Sequence, residues 1–109
     1  MNLIDLIGYI VVPVKLEEFY VEQELDMDSE ALIIYMKESL SMESEIYIYP
    51  IEETADDLVY EKKGIKFIQF FPLDYALELI NSDLQLMNKG LTNQAIAERL
   101  LEYRFKDAL

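Results

Sequence analysis

The residues of this chain that could do chemistry are carboxylates and tyrosines. Its 109 residues include 22 Asp and Glu and 8 Tyr, but no His, no Cys and no Trp. Without His there is no triad base, imidazole proton shuttle or common transition-metal ligand. Without Cys there is no thiolate nucleophile, zinc knuckle or disulfide. These absences exclude several classes of enzyme, so the protein either catalyses with carboxylates, Lys or Tyr, or it only binds.

Two acidic runs contain the oxygen ligands that a hard cation prefers. The run at residues 26–30 (DMDSE) begins like a calcium loop, but the sixth and twelfth positions hold Ala31 and Lys37 where Gly and Glu are needed. The run at residues 52–57 (EETADD) is typical of an acidic turn between strands. We therefore predict no metal site and no cofactor.

A carboxylate-dependent enzyme would pair one acid in an apolar pocket with another in water. Asp5 lies among Leu and Ile residues, and a cap or helix-surface position accounts for it. The three glycines are dispersed, so there is no glycine-rich phosphate loop. We predict that the protein is not an enzyme and keep a carboxylate-dependent enzyme as the third alternative.

The negative charge is concentrated in the first part of the chain. Residues 1–61 contain 16 acids and two bases, whereas residues 62–109 contain six acids and seven bases. The net charge of −13 therefore arises from a first segment of −14 and a second of +1. A solvated surface that maintains solubility is one explanation. A field of one sign also steers basic partners and repels nucleic acid, which is the functional explanation.

Tyr47 and Tyr49 lie two residues apart, so they share one face of a predicted strand. Acids flank them on both sides, and tyrosine is a residue typical of interfaces. Either these tyrosines form a contact surface for a basic protein, or they pack beneath a helix. The predicted partner-binding residues are Glu22, Glu24, Asp26, Asp28, Glu43, Glu45, Tyr47, Tyr49, Glu52, Glu53, Asp56 and Asp57.

These features predict a non-enzymatic acidic protein that neutralises or inhibits a basic protein, as an immunity protein or a nucleic-acid mimic does. The partner would be a toxin, a nuclease or a nucleic-acid-binding protein. The alternative is a structural or regulatory subunit that docks through an apolar surface, for example as a homodimer along residues 46–51. We expect no direct contact with nucleic acid or membrane, and a cytoplasmic location. The longest apolar stretch, residues 6–14, is far short of the roughly 20 residues of a membrane span, and no base precedes Lys15.

The predicted fold is a single α+β domain over residues 1–109, with a small antiparallel sheet of three to five strands packed against helices. Apolar steps of three and four residues predict a helix from Pro72 and a second from residues 92–93, joined as an antiparallel hairpin across Lys89-Gly90. The predicted buried residues are Leu73, Ala76, Leu77, Ile80, Leu84 and Met87 on the first helix and Ile96, Ala97, Leu100, Leu101, Tyr103 and Phe105 on the second.

Residues 46–51, 58–61 and 65–71 are predicted to be strands of an antiparallel meander, and Gly64 suits a short hairpin with a bulge across residues 62–64. The N-terminal half is less regular. A short helix at residues 3–7 is followed by a predicted strand at residues 8–14, and alternation favours a strand at residues 19–27. Residues 28–41 fit a helix, but residues 31–36 fit a buried strand equally well.

One further string, residues 90–100 (GLTNQAIAERL), resembles the first part of a LuxR-type helix-turn-helix. That family continues with a turn and a recognition helix, whereas residues 101–109 (LEYRFKDAL) continue the amphipathic pattern. The net negative charge also opposes phosphate binding. We therefore predict a capped amphipathic helix here.

Overall fold

One antiparallel sheet of four strands organises the protein. In the computed structural model, which describes residues 1–25, 28–83 and 90–107, the strands are β1 (Leu32–Lys37), β2 (Ile46–Pro50), β3 (Val59–Lys62) and β4 (Ile65–Pro72). Their spatial order is β2-β1-β4-β3. The α+β class is confirmed, as are the strands predicted near residues 46–51, 58–61 and 65–71.

The central strand β1 explains why the predicted meander is wrong. β1 pairs with β2 on one side and with β4 on the other, so β2 and β3 are not hydrogen-bonded neighbours. Ile33, Ile34, Tyr35 and Met36 are all buried, because both faces and both edges of β1 are covered. Side chains of both parities are therefore apolar, which is the pattern of a buried strand. Of the two interpretations of this segment, the strand is correct and the helix is wrong.

The predicted β3–β4 hairpin is confirmed, but the predicted bulge is wrong, because the strands pair without a register shift up to a two-residue turn. Lys62 pairs with Ile65 across the two residues Lys63 and Gly64, whose φ angles are 53° and 79°. Positive φ at both central residues matches a type I′ turn, whose twist suits the strands of a hairpin. Gly64 adopts such an angle without strain.

Two helices occupy the N-terminal segment and a turn follows them, so the strands predicted at residues 8–14 and 19–27 are wrong as far as Leu25. A reciprocal pair of hydrogen bonds between Asn2 and Asp5 caps α1 (Leu3–Ile10). Pro13 then begins α2 (Pro13–Glu22), where its missing N–H has no consequence. The alternation of apolar and acidic residues from Phe19 onward does not produce a strand, because Phe19 lies in α2 and packs into the core from that helix. Residues 26–27 lie outside the described residues.

The C-terminal half contributes the remaining helices. A single turn, α3 (Ile51–Thr54), follows β2, and α4 (Leu73–Glu78) follows β4 and continues as a π-helical segment, Leu79–Asp83. The last helix is α5 (Asn93–Asp107), and the Thr92 hydroxyl accepts a hydrogen bond from the Ala95 N–H at its start. α5 is one helix, not a helix-turn-helix. Leu84, Met87 and the predicted hairpin connection lie outside the described residues.

Most predicted core positions of these helices are buried. They are Leu73, Ala76, Ile80, Ile96, Ala97, Leu100 and Leu101. Leu77 and Tyr103 are half-buried. Phe105 is 51% exposed, so its predicted burial is wrong. Among the described helices, none is long and apolar enough to cross a membrane.

The sheet has two different faces. Ile34, Met36 and Phe70 point into the main core with the buried residues of α1, α2, α4 and α5. Ile33, Tyr35 and Phe67 form a second, smaller cluster on the other face. Among the described helices, only the single turn α3 contributes to this second cluster, through Ile51. One face of the sheet is therefore packed under helices, and the other is covered mainly by its own aromatic side chains.

Candidate functional site

The second sheet face is a cluster of tyrosines, which we call the tyrosine face. It consists of Ile33, Tyr35, Tyr47, Tyr49, Tyr60, Ile65 and Phe67. Strand register brings these residues together, because Tyr47 pairs with Tyr35, Tyr49 with Ile33, and Tyr60 with Phe67. Paired residues of antiparallel strands lie on the same face. Four strands thus supply one surface.

The rings of the tyrosine face contact one another closely. The Tyr47 and Tyr49 rings are stacked, with centroids 6.1 Å apart, and the Tyr49 and Tyr60 centroids are 5.4 Å apart. Phe67 meets both Tyr47 and Tyr49 edge to face. Tyr47, Tyr49 and Tyr60 remain half-buried. They form a rigid, partly exposed aromatic surface, which is the kind of surface that interfaces use.

An acidic strap, residues 51–58, borders this surface. The Tyr35 hydroxyl donates a 2.7 Å hydrogen bond to the carbonyl of Asp57 and so holds the strap from below. Gln69 donates to the Asp56 carboxylate at 2.7 Å. Ala55 and Asp56 both have positive φ angles, 52° and 60°, which turn the chain sharply back toward β3. The strap is therefore fixed by contacts from the sheet.

Glu52 ties the strap to the segment before β1. Its carboxylate accepts hydrogen bonds from the Ser29 hydroxyl and from the Glu30 N–H. The Ser29 bond, followed by the backbone bond, holds the pKa of Glu52 below its ordinary value. Glu52 is thus committed to a structural contact.

The strap and the hairpin together hold a cation. The Lys62 ammonium lies 5.2 Å from the centre of the Tyr49 ring and 3.1 Å from the Glu53 carboxylate. The Tyr60 hydroxyl donates a 2.8 Å hydrogen bond to the same oxygen of Glu53. We call this group, made of the Tyr49 ring, the Tyr60 hydroxyl and the Glu53 carboxylate, the cation seat. An aromatic face beside a carboxylate is a favourable environment for a lysine or arginine side chain.

The pKa directions in the cation seat follow from these contacts. The hydrogen bond from Tyr60, with a further contribution from Lys62, lowers the pKa of Glu53. The Glu53 carboxylate in turn raises the pKa of Lys62 and of Tyr60. Burial raises the pKa of Tyr49. At neutral pH the seat therefore holds an anionic Glu53, neutral tyrosines and a cationic Lys62.

The structure brings together only part of the predicted site. Tyr47, Tyr49 and the four strap acids meet at the tyrosine face. Glu43 and Glu45 are exposed in the connection that leads into β2, next to Tyr47. Glu22 and Glu24 are exposed at the end of α2, on the helical side, where Glu22 lines a groove of about 600 Å³ with Asp5 and Lys15. Asp28 is exposed, and Asp26 lies outside the described residues.

Four aromatic or charged residues of the site were not predicted, namely Tyr35, Tyr60, Lys62 and Phe67. The hairpin register contains the signal for three of them, because the turn at Lys63-Gly64 places Tyr60 opposite Phe67 and Lys62 opposite Ile65. Tyr35 becomes visible only once β1 is placed between β2 and β4. Its contact with Tyr47 therefore depends on long-range pairing that no local pattern contains.

A comparison of the chain with protein families, with curated proteins and with solved structures found no match. Function must therefore be argued from the site itself. In the described ranges, no three acidic side chains converge closely enough to hold a metal ion. What the arrangement can do chemically is to bind a cationic group against aromatic rings.

Proposed function

We propose that the chain is a non-enzymatic binding protein that captures a basic protein through the tyrosine face and the carboxylates around it. The cation seat carries this proposal. Lys62 already occupies the position that a lysine or arginine of a partner would take, with an aromatic ring on one side and a carboxylate on the other. This intramolecular contact supports a cationic side chain as the ligand of the seat.

The distribution of carboxylates supports a basic partner. Glu43, Glu45 and Asp57 are exposed, and their carboxylates make no hydrogen bond or ion pair with any residue that the structure describes. Charges of this kind at the rim of an interface accelerate association with a partner of opposite sign. The strap acids Glu52, Glu53 and Asp56, in contrast, are engaged within the protein and serve to hold the surface in shape.

The burial of polar groups supports binding over catalysis. Among the residues whose side chains the structure describes, Thr54 is the only buried polar one, so none of their carboxylates is buried in an apolar pocket. A general acid at neutral pH needs such a pocket to raise its pKa. The resolved pKa shifts of described carboxyl groups, at Glu52, Glu53 and Glu102, are all downward.

By analogy of class, the partner is a toxin or another nucleic-acid-directed protein, and the chain is its inhibitor or immunity protein. A small acidic domain without a cofactor suits this role, because segregated charge increases the rate of capture. The same charge also disfavours direct contact with nucleic acid, and the proposed location is the cytoplasm.

The test is capture from a lysate of the native host on three immobilised proteins. These are the wild type, Tyr47→Ala/Tyr49→Ala, and the control Glu17→Lys/Glu78→Lys, whose exposed acids lie on helices α2 and α4 of the helical side. We expect one dominant basic protein that the wild type and the control retain and the tyrosine variant loses. Retention of the same proteins by all three would contradict the proposal.

A further inference from the structure

The outer edge of β3 has backbone groups that no described residue satisfies. Lys62 pairs with Ile65, and the Gln69 N–H donates to the Leu58 carbonyl, so Leu58, Tyr60 and Lys62 direct their backbone groups toward β4. By the alternation of antiparallel strands, the N–H and C=O of Val59 and Glu61 point outward. Leu58 and Val59 are also 64% and 51% exposed. This is an open and partly apolar edge.

The opposite edge of the sheet is blocked. On β2 the outward residues are Ile46, Ile48 and Pro50, because Ile51 and Glu45 bond inward to Ala31 and Lys37. The Ile46 N–H is taken by the carbonyl of Met1 at 2.8 Å, and Pro50 has no N–H. The Ile48 N–H is thus the only outward N–H of β2 that does not donate to a described residue. A homodimer that pairs along residues 46–51 would therefore find too few free backbone donors on β2.

We propose that the β3 edge pairs with the β3 edge of a second copy of this chain, antiparallel about a two-fold axis at Tyr60. In this register Val59 of each copy exchanges hydrogen bonds with Glu61 of the other, so all the outward groups of both strands are satisfied. Tyr60 meets its counterpart in a non-hydrogen-bonded pair, where side chains approach most closely.

The charges along the strand are complementary to themselves in this register. Antiparallel pairing centred on Tyr60 brings Lys63 alongside Asp57 of the second copy, and the two-fold axis repeats that pair. Asp57, Glu61, Lys62 and Lys63 give residues 57–63 no net charge, although the whole chain carries −13. The proposed contact thus avoids the repulsion that two acidic surfaces would create.

The two-fold axis would run perpendicular to the sheet, so both tyrosine faces would lie on the same side of one eight-stranded sheet. This proposal does not rest on the proposed function, because it concerns the protein without a partner.

The first experiment measures the solution mass by sedimentation velocity at moderate salt over a wide range of protein concentration. We expect the wild type to shift from 12.8 kDa toward twice that mass. Asp57→Lys and Lys63→Asp should each remain at the monomer mass, because each removes both symmetry-related ion pairs and opposes like charges. The double variant Asp57→Lys/Lys63→Asp should regain the dimer. Asp-Gly suits a type I′ turn, so Lys63→Asp should fold well.

Glu17→Lys is the matched control, since it makes the same change of charge on α2 as Asp57→Lys makes beside β3, and it should dimerise like the wild type. Hydrogen exchange provides the second readout. The amides of Val59 and Glu61 should exchange more slowly as concentration rises, whereas the Ile48 amide should not change. A wild type that stays monomeric throughout overturns the proposal, as does a dimer in which the Val59 and Glu61 amides stay unprotected. A double variant that stays monomeric overturns the register.

Discussion

The Lys62 ammonium lies 3.1 Å from the Glu53 carboxylate, at the margin of an aromatic surface that no long helix of the described chain covers. Lys62 comes from β3 and Glu53 from the acidic strap, so this contact joins the hairpin to the strap. It also occupies the cation seat from within. The pair therefore has two consequences, one for binding and one for stability, and each can be measured separately.

If Lys62 occupies the seat that a partner's lysine or arginine needs, its removal should strengthen binding. We expect Lys62→Met to increase the affinity for a short lysine-rich peptide, since the seat is then vacant and the carboxylate of Glu53 is uncompensated. Isothermal titration at low salt measures this. Lys66→Met is the control, because Lys66 faces the other side of the same hairpin. Equal gains in both variants would indicate a change of net charge alone.

The Glu53 contacts should make stability depend on pH in the acidic range. The folded-state pKa of Glu53 is lowered, so its contribution is present above the unfolded pKa and is lost as pH falls through the folded pKa. The melting temperature of Glu53→Gln should lie below that of the wild type near pH 6, and the gap should narrow as pH falls below about 4. Melting curves over this range measure the gap. Glu17→Gln, which lacks these contacts, should show no such convergence.

The acidic excess should destabilise the free protein at low ionic strength. Residues 1–61 carry −14, and their mutual repulsion is screened when salt shortens the Debye length. We expect the melting temperature to rise from low to moderate sodium chloride. A flat or falling melting temperature over that range would argue against a concentrated acidic surface.

Only the buried side of helix α5 should contribute strongly to the stability of the fold. Leu100 is fully buried in the main core, so Leu100→Ala should lower the free energy of unfolding by roughly 2–5 kcal/mol. Phe105 is half exposed, and Phe105→Ala should cost far less. Urea denaturation of the two variants measures this difference. Similar losses of unfolding free energy in the two variants would contradict the packing of α5 described above.

The local sequence pattern was sufficient to predict the elements whose structure depends on neighbouring residues. The Lys63-Gly64 turn, the strand that contains Tyr47 and Tyr49, and the capped helix after Thr92 all follow from neighbouring residues. The position of β1 does not, because its pairing with β2 and β4 depends on contacts far apart in sequence. Without β1, neither the burial of Tyr35 nor its hydrogen bond to Asp57 could be inferred.

The acids show the same limit. The sequence shows that residues 52–57 are rich in acids, and their spacing predicts that they lie near Tyr49, where the structure places them. They do not reveal that the Glu52 carboxylate binds Ser29 or that the Asp56 carboxylate binds Gln69, since these partners come from distant segments. Charge reversal in the strap would therefore disturb the shape of the tyrosine face as well as the electrostatic field around it. Glu43 and Glu45 test the field more cleanly.

The central claim, that rim carboxylates steer a basic protein onto the tyrosine face, is tested most directly by the kinetics of binding the captured partner. Surface plasmon resonance should show a lower association rate for Glu43→Lys/Glu45→Lys, with a steep salt dependence in the wild type. Tyr49→Ala should instead raise the dissociation rate, at a cost of about 2 kcal/mol in binding free energy if Tyr49 is a central anchor. An affinity that is indifferent to salt, to the acid reversals and to Tyr49→Ala would contradict the account.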